Sequence, residues 1–334
     1  MESSLLRMSA SWLACWHQEG AGLMLKSRPS GITLCPGILS GWLATPPVDI
    51  RKPFRRAIPS WNILQADSAH SFEVEISACN THGKWTPWFS NRKKEDLPQG
   101  DALLWEIDQF RSDDLFRQVR FRVHLSRAIH SRTSPRLTSL YLTWNDCKGD
   151  ECPIPRSKPR PVSPVQVPFI HQHELDPLVG GHICSPASVS MVLQGMGHGI
   201  DPMDVAQLAF HSDYQIYGSW PQAVHAACQY GARGWVELIP DWSVAVRYLR
   251  RGIPLVCSIS FREGELESPP YSSTHGHLLV LIGIDPDGSP VTHDPNLPEP
   301  QGAFLRWKLE DFNKAWFGHG GVAYILTKPG GRIS

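Results

Sequence analysis

The chain has 334 residues, 41% hydrophobic and 19% charged, and its 32 basic side chains balance its 32 acidic ones. That length suggests two domains, each able to bury a core of its own. The balance excludes the basic excess of a nucleic-acid binder and any acidic tail, and no apolar run approaches the roughly 20 residues of a membrane span.

Residues 1–30 are poorly patterned and read as a lead-in or an edge strand. Arg7, a short apolar patch over residues 12–16 and Glu19 are too broken for a secretory signal, so a cytoplasmic location is the expectation, with secretion left open. From 31 to 144 short alternating runs stand between turn residues. Residues 72–78 alternate apolar and polar, as a half-buried strand does. So do residues 119–125, with Val119, Phe121, Val123 and Leu125 on one face and Arg120, Arg122 and His124 on the other. Residues 137–143 and 103–107 read as two further strands, and no long amphipathic helix interrupts them. The expectation is an antiparallel β-sandwich. Trp61, Trp85, Trp88, Phe89 and Trp105 suit either its core or an exposed sugar-stacking surface, which makes a glycan a candidate partner of this domain. Arg51, Lys52, Arg55 and Arg56 read as a solvated edge.

Residues 145–166 hold five prolines among many charges and read as a stiff linker. Beyond it, over 167–330, the periodicity changes. A helix opens at Cys184, with Val189, Val192 and Leu193 as its buried stripe and Ala187 and Met191 on another face. Asp201 caps a second helix, Pro221 admits a third that Gly231 ends, and Asp241 starts a fourth that Gly252 ends. Strands follow at 254–260, 277–284, 290–294 and 321–327, the second nearly all apolar and hence central. Helices first and then an antiparallel sheet is an α+β arrangement.

Eight cysteines show no repeated spacing. Cys147 and Cys152 are close enough to pair, but free thiols are the expectation, with neither a disulfide framework nor a structural metal. Cys184 stands apart. A thiol at a helix N-terminus meets the positive end of the macrodipole, which favours the thiolate. A thiolate nucleophile needs a base, and the base an orienting acceptor. His277 begins the central strand and Asp294 ends the next, with the turn-forming Asp-Pro-Asp-Gly at 285–288 between them. A hairpin therefore brings His277 and Asp294 together. Gln172, upstream of the thiol, is the natural oxyanion donor beside the Cys184 backbone N–H.

The same region resembles the bacteriocin-processing-peptidase-like cysteine peptidases, family 39 of the papain-like clan, in a stand-alone form without a transporter. The resemblance rests on Val167-Pro-Phe-Ile-His-Gln172, Cys184-Ser-Pro-Ala-Ser-Val-Ser-Met191, Tyr217-Gly-Ser-Trp-Pro221, Arg251-Gly-Ile-Pro254, Thr274-His-Gly-His-Leu278 and His293-Asp-Pro295. It implies a papain-like fold in which Cys184 is the nucleophile, His277 base and acid, Asp294 the orienter and Gln172 the oxyanion donor. Two departures stand out: a long twelve-residue step from Gln172 to Cys184, and Ser185 where the family favours glycine. Gly218 and Trp220 are expected to edge the substrate cleft. The implied activity is hydrolysis of a peptide or isopeptide bond through a thioester, without cofactor. The alternatives are acyl transfer on the same triad, or a binding protein with a silent papain-like domain.

Overall fold

The computed structural model describes residues 4–16, 19–27, 30–64, 69–90, 103–148 and 152–328. The chain divides into two compact units: Leu5–Gly149, and Asp150–Ser334 together with Met1–Ser4.

The first unit is almost entirely antiparallel sheet. Its elements are β1 (Leu5–Ser9), α1 (Ala10–Trp16), β2 (Glu19–Ala21), β3 (Leu23–Ser27), β4 (Ser30–Leu34), β5 (Ser40–Ala44), β6 (Val48–Leu64), β7 (His70–Asn80), β8 (Phe89–Ser90), β9 (Leu103–Glu106), β10 (Gln109–Arg127) and β11 (Arg136–Asn145). The poorly patterned start of the chain thus holds three strands and a short helix, and Met8 and Leu13 from it are fully buried. The expected sandwich is one continuous, nearly barrel-shaped sheet of eleven strands. Long strands make it so. The first half of β10 pairs with β6 and β9, and its second half lies between β5 and β7. Register shifts near Phe116 mark the bulge where the strand changes partners.

Alternation along β10 fills the core. Val119, Phe121, Val123 and Leu125 are wholly buried, each worth about 1.5–3 kcal/mol on burial. Phe54, Phe89, Phe110 and Phe116 pack as an aromatic cluster, with Phe110 and Phe116 edge to face at 4.9 Å. Trp61 and Phe89 are core residues, not a sugar surface; the Trp105 side chain lies outside the described residues. Nor are the four basic residues a uniform solvated edge. Arg56 is buried and donates to Gln109 Oε1 at 2.6 Å, and Arg55 is ion-paired with Asp146.

In the second unit the order is α2 (Cys184–Gly195), α3 (Pro202–Ala209), α4 (Trp220–Gln229), β12 (Arg233–Leu238), α5 (Trp242–Leu249), β13 (Leu255–Phe261), β14 (Thr274–Ile284), β15 (Pro290–His293), β16 (Leu305–Arg306), α6 (Leu309–Trp316) and β17 (Val322–Thr327). The strands form one antiparallel sheet ordered β12-β17-β13-β14-β15-β16. Helices and strands are less segregated than the sequence pattern implied, since β12 falls between α4 and α5, and α6 interrupts the strands. Asp201 and Asp241 cap α3 and α5 by accepting backbone N–H groups, and Gly231 and Gly252 take positive φ just past α4 and α5.

The linker expectation also needs correcting at both ends. Cys147 and Cys152 are disulfide-bonded, not free. Residues 162–165 add to the second sheet through Val162 N–H to Ile284 O, Ile284 N–H to Val162 O and Val165 N–H to Ile282 O. No helix among the described residues is long and apolar enough to cross a membrane.

Candidate active site

Cys184 is the first residue of α2, and its N-cap residue Ile183 has no side-chain oxygen to offer the free N–H groups. Those groups and the helix dipole therefore act on whatever negative charge stands there. Every residue from 185 to 193 is buried, so over that stretch the helix has no separate apolar stripe. Its serines are satisfied internally. Ser185 Oγ pairs with Tyr324 OH at 3.1 Å, and Ser190 Oγ donates to Pro186 O at 2.8 Å. Ser188 Oγ donates to Leu278 O at 3.0 Å. This last bond ties the helix, one turn below Cys184, to the strand residue beside His277.

His277 lies near the start of β14, and β14 pairs with β15 through Val280 opposite His293. The hairpin sets Asp294, immediately after β15, next to His277, whose Nε2 is 2.7 Å from Asp294 Oδ1. Both are buried. On its other side the imidazole interacts with the Cys184 thiol, each favouring the charged form of the other. With Nε2 on the carboxylate, Nδ1 is the ring nitrogen left for sulfur.

The electrostatics of this row are coupled. Burial opposes charge on His277, but the charge and hydrogen bond of Asp294 outweigh it, helped by Cys184, and push the imidazole up to about 10. Burial likewise pushes the Cys184 thiol up; the His277 hydrogen bond and charge, with a backbone hydrogen bond at Leu278, more than reverse this and leave it below its usual 9.0. The pair is therefore set toward thiolate and imidazolium.

Asp294 is held from several sides. Its Oδ1 also accepts the Asn296 N–H at 3.0 Å, and its Oδ2 accepts the Tyr271 hydroxyl at 3.3 Å. Burial, and then the Asp294 charge, keep that phenol well above its usual range, so it remains a donor. The Tyr271 ring stands edge-on to His277 at 5.8 Å and stacks on Phe261 at 5.5 Å. Behind Asp294, His293 Nδ1 accepts the Phe304 N–H at 3.1 Å, which leaves Nε2–H to donate to Val167 O at 3.3 Å. Gly302 completes the loop with its N–H on Pro298 O, and a Cβ there would sit 2.5 Å from the carbonyl oxygens of Asp294 and Leu297.

Gln172 is buried, and its backbone N–H donates to Pro295 O at 2.9 Å, one residue past the carboxylate. Its Nε2 donates to Gly180 O at 2.8 Å, and its Oε1 has no partner among the described residues. An amide nitrogen carries two hydrogens, so one remains for a ligand. The long step to Cys184 is taken up by two 3-10 turns, Gln172–Glu174 and Gly180–His182. A Cβ on Gly180 would come 3.0 Å from Gln172 O, which explains the glycine.

Gly218 lies in the turn ahead of α4, with open space where a side chain would stand, and half-buried Trp220 opens that helix. Among the described residues no set of three His, Cys, Asp or Glu is placed to hold a metal. Sequence reasoning passed over Tyr271, Ser188 and the strut role of His293. The Pro269-Pro270 pair ahead of Tyr271 was the legible hint, because two fixed φ angles make a poor free loop.

A thiol that interacts with a buried, carboxylate-backed imidazole can be ionised near neutral pH and can attack an acyl carbon. The comparisons agree with chemistry of that class. Residues 164–324 match the model of the Peptidase_C39 like family, so the C-terminal part of the chain is similar to that family of cysteine peptidases. No curated protein matches the chain.

Proposed function

We propose that the C-terminal unit cleaves a peptide or isopeptide bond by covalent catalysis at Cys184. The supporting observation is the buried His277–Asp294 contact at 2.7 Å, with the free side of the imidazole on the thiol at the start of α2. In this reading the Cys184 thiolate attacks the scissile carbonyl carbon, and the resulting oxyanion is met by the Cys184 N–H and the remaining Gln172 Nε2 hydrogen. His277 then gives its proton to the leaving amine as the C–N bond breaks, leaving a thioester. Water enters, His277 takes its proton, and hydroxide attack on the thioester carbon releases the acid and regenerates the thiolate. Asp294 holds the imidazole in orientation and stabilises its charged form throughout. Gly218 and Trp220 edge the cleft at the N-terminus of α4.

The test is alkylation with iodoacetamide at pH 7, followed by peptide-library cleavage with wild type and Cys184→Ala. Cys184 should label at least tenfold faster than the other free thiols, and Cys184→Ala should cleave nothing that wild type cleaves. Uniform slow labelling together with unchanged cleavage by Cys184→Ala would overturn the proposal. Adding a primary amine in the same assay distinguishes water from amine as the second nucleophile, because transfer gives an amide product of different mass.

A further inference from the structure

The N-terminal unit carries a second arrangement that hydrolysis at Cys184 does not use. The residues of β10 that alternate with its core set, Arg120, Arg122 and His124, lie on the opposite face of the sheet. There the Arg120 guanidinium stacks 4.4 Å from the centre of the Trp85 ring and 4.6 Å from that of Trp88. Arg122 stacks 4.6 Å from Trp88. At the other end His124 stacks on Trp42 at 6.3 Å, with the ring planes 26° apart. Arg120, Arg122, His124, Trp42, Trp85 and Trp88 are all half-buried, so each keeps an edge toward solvent. From Arg120 to His124 the strand rises about 13 Å, the length of a short oligosaccharide.

The two arginines are not equivalent. Arg122 donates to Glu75, which also has His124 Nε2 at 3.3 Å, so its charge is matched. Arg120 has no carboxylate partner among the described residues, and its Nε is buried without a hydrogen bond, which leaves the two terminal nitrogens as the donors for a ligand. Stacking covers the faces of a guanidinium and leaves its hydrogen-bonding capacity in the plane. Arg120 is thus pinned flat with an unused fork, in the geometry that accepts a carboxylate through two parallel bonds. The turn that leads into Trp85 reads Thr81-His82-Gly83-Lys84, exposed and without an acidic residue; Asn80 Oδ1 fixes it by accepting the N–H groups of His82 and Lys84. Hydroxyls and the Glu73 carboxylate line the rest of the face, with Ser71 and Ser126 paired at 2.6 Å and Ser90 donating to Glu73 at 2.5 Å. Rigid indoles among hydroxyls suit a sugar ring, which is apolar on its C–H face and polar at its rim, better than a flexible acidic peptide.

We propose that this face binds a carboxylate-bearing glycan, with the acid group on Arg120 and a sugar ring against Trp85 or Trp88. The test uses the full-length protein and follows tryptophan fluorescence during titration with four ligands: oligogalacturonate, its fully methyl-esterified form, cello-oligosaccharide and poly-glutamate. Oligogalacturonate should bind at least tenfold more tightly than each of the others. Arg120→Gln should lose at least tenfold, and Arg120→Lys, which keeps the charge and the stack but not the fork, should lose several-fold. Near-UV circular dichroism of both variants checks the fold, and Arg120→Lys carries the test if Arg120→Gln does not fold. Equal affinity for the esterified oligomer, tighter binding of poly-glutamate, no binding at all, or unchanged affinity in the folded arginine variants would each overturn the proposal. None of these readouts depends on Cys184.

Discussion

Two carboxylate–histidine pairs in this chain look alike on paper. Glu75 Oε2 lies 3.3 Å from His124 Nε2 in the N-terminal unit, and Asp294 Oδ1 lies 2.7 Å from His277 Nε2 in the C-terminal one. Their surroundings separate them. The His124 side chain is 40% exposed, and Arg122 competes for the same Glu75 oxygen; the His277 side chain is 8% exposed, and no other cationic group among the described residues shares Asp294. A unit charge pair at 4 Å interacts by about 1 kcal/mol in water and about 4 kcal/mol at an effective dielectric constant of 20. The third member differs too: an indole lies behind His124 and a thiol behind His277. The carboxylate–imidazole pair is therefore common stock, and what sets the C-terminal one apart is its burial and its thiol.

Removing the third member should break the comparison most severely. Cys184→Ala is expected to lower kcat/KM on the order of 10⁴-fold or more. Next comes the charge. Asp294→Asn keeps the shape but removes the ion that holds His277 up, and should cost about 10²–10⁴-fold in kcat. It should also move the acid limb of the alkylation-rate profile toward higher pH, since the Cys184 thiolate loses its cationic partner. In the wild type the sign is fixed by the two shifts. Because Cys184 is lowered from its usual 9.0 and His277 raised to about 10, the ion pair is favoured between the two. Alkylation should fall on acidification through the thiol's lowered range, and peptide hydrolysis should also fall above about 10, where His277 loses the proton it must donate. Smaller still, Tyr271→Phe deletes one hydrogen bond to Asp294, worth about 1.5–3 kcal/mol as a bond to a charged group at full strength. At 3.3 Å a three- to tenfold loss in kcat with little change in KM is expected. Glu75→Gln should leave the Cys184 alkylation rate within twofold and lower stability by about 1 kcal/mol or less, because Arg122 is partly exposed. If it altered alkylation as strongly as Asp294→Asn does, the contrast between the pairs would collapse.

The pairing of His277 with Asp294 was legible because it needs only two strands and a turn with strong local signals, and Asp285, Asp287 and Gly288 supply that turn as expected. The helices of the second unit were legible for the same reason, through their Asp caps and terminal glycines. Long-range choices were not. Nothing local in 17- and 19-residue strands tells where they change partners, so a wrapped sheet read as two flat layers. The α2 stripe misled because three serines, which read as a polar face, are all satisfied inside the unit. Arg56 misled likewise, since its Gln109 partner lies 53 residues away.

The loop over residues 294–302 does two jobs at once: it presents the Asp294 carboxylate, and through Pro295 O it holds the backbone of Gln172. Substitutions at these two positions are consequently expected to show epistasis. Groups that share a network depart from additivity by about 0.5–3 kcal/mol. A Gln172→Ala, Asp294→Asn double variant should therefore be less impaired than the two separate losses multiplied together. Laboratory evolution of this protein would then find Gln172 and Asp294 changing in company, with Gly302 as the position where a compensating shift is hardest to accommodate.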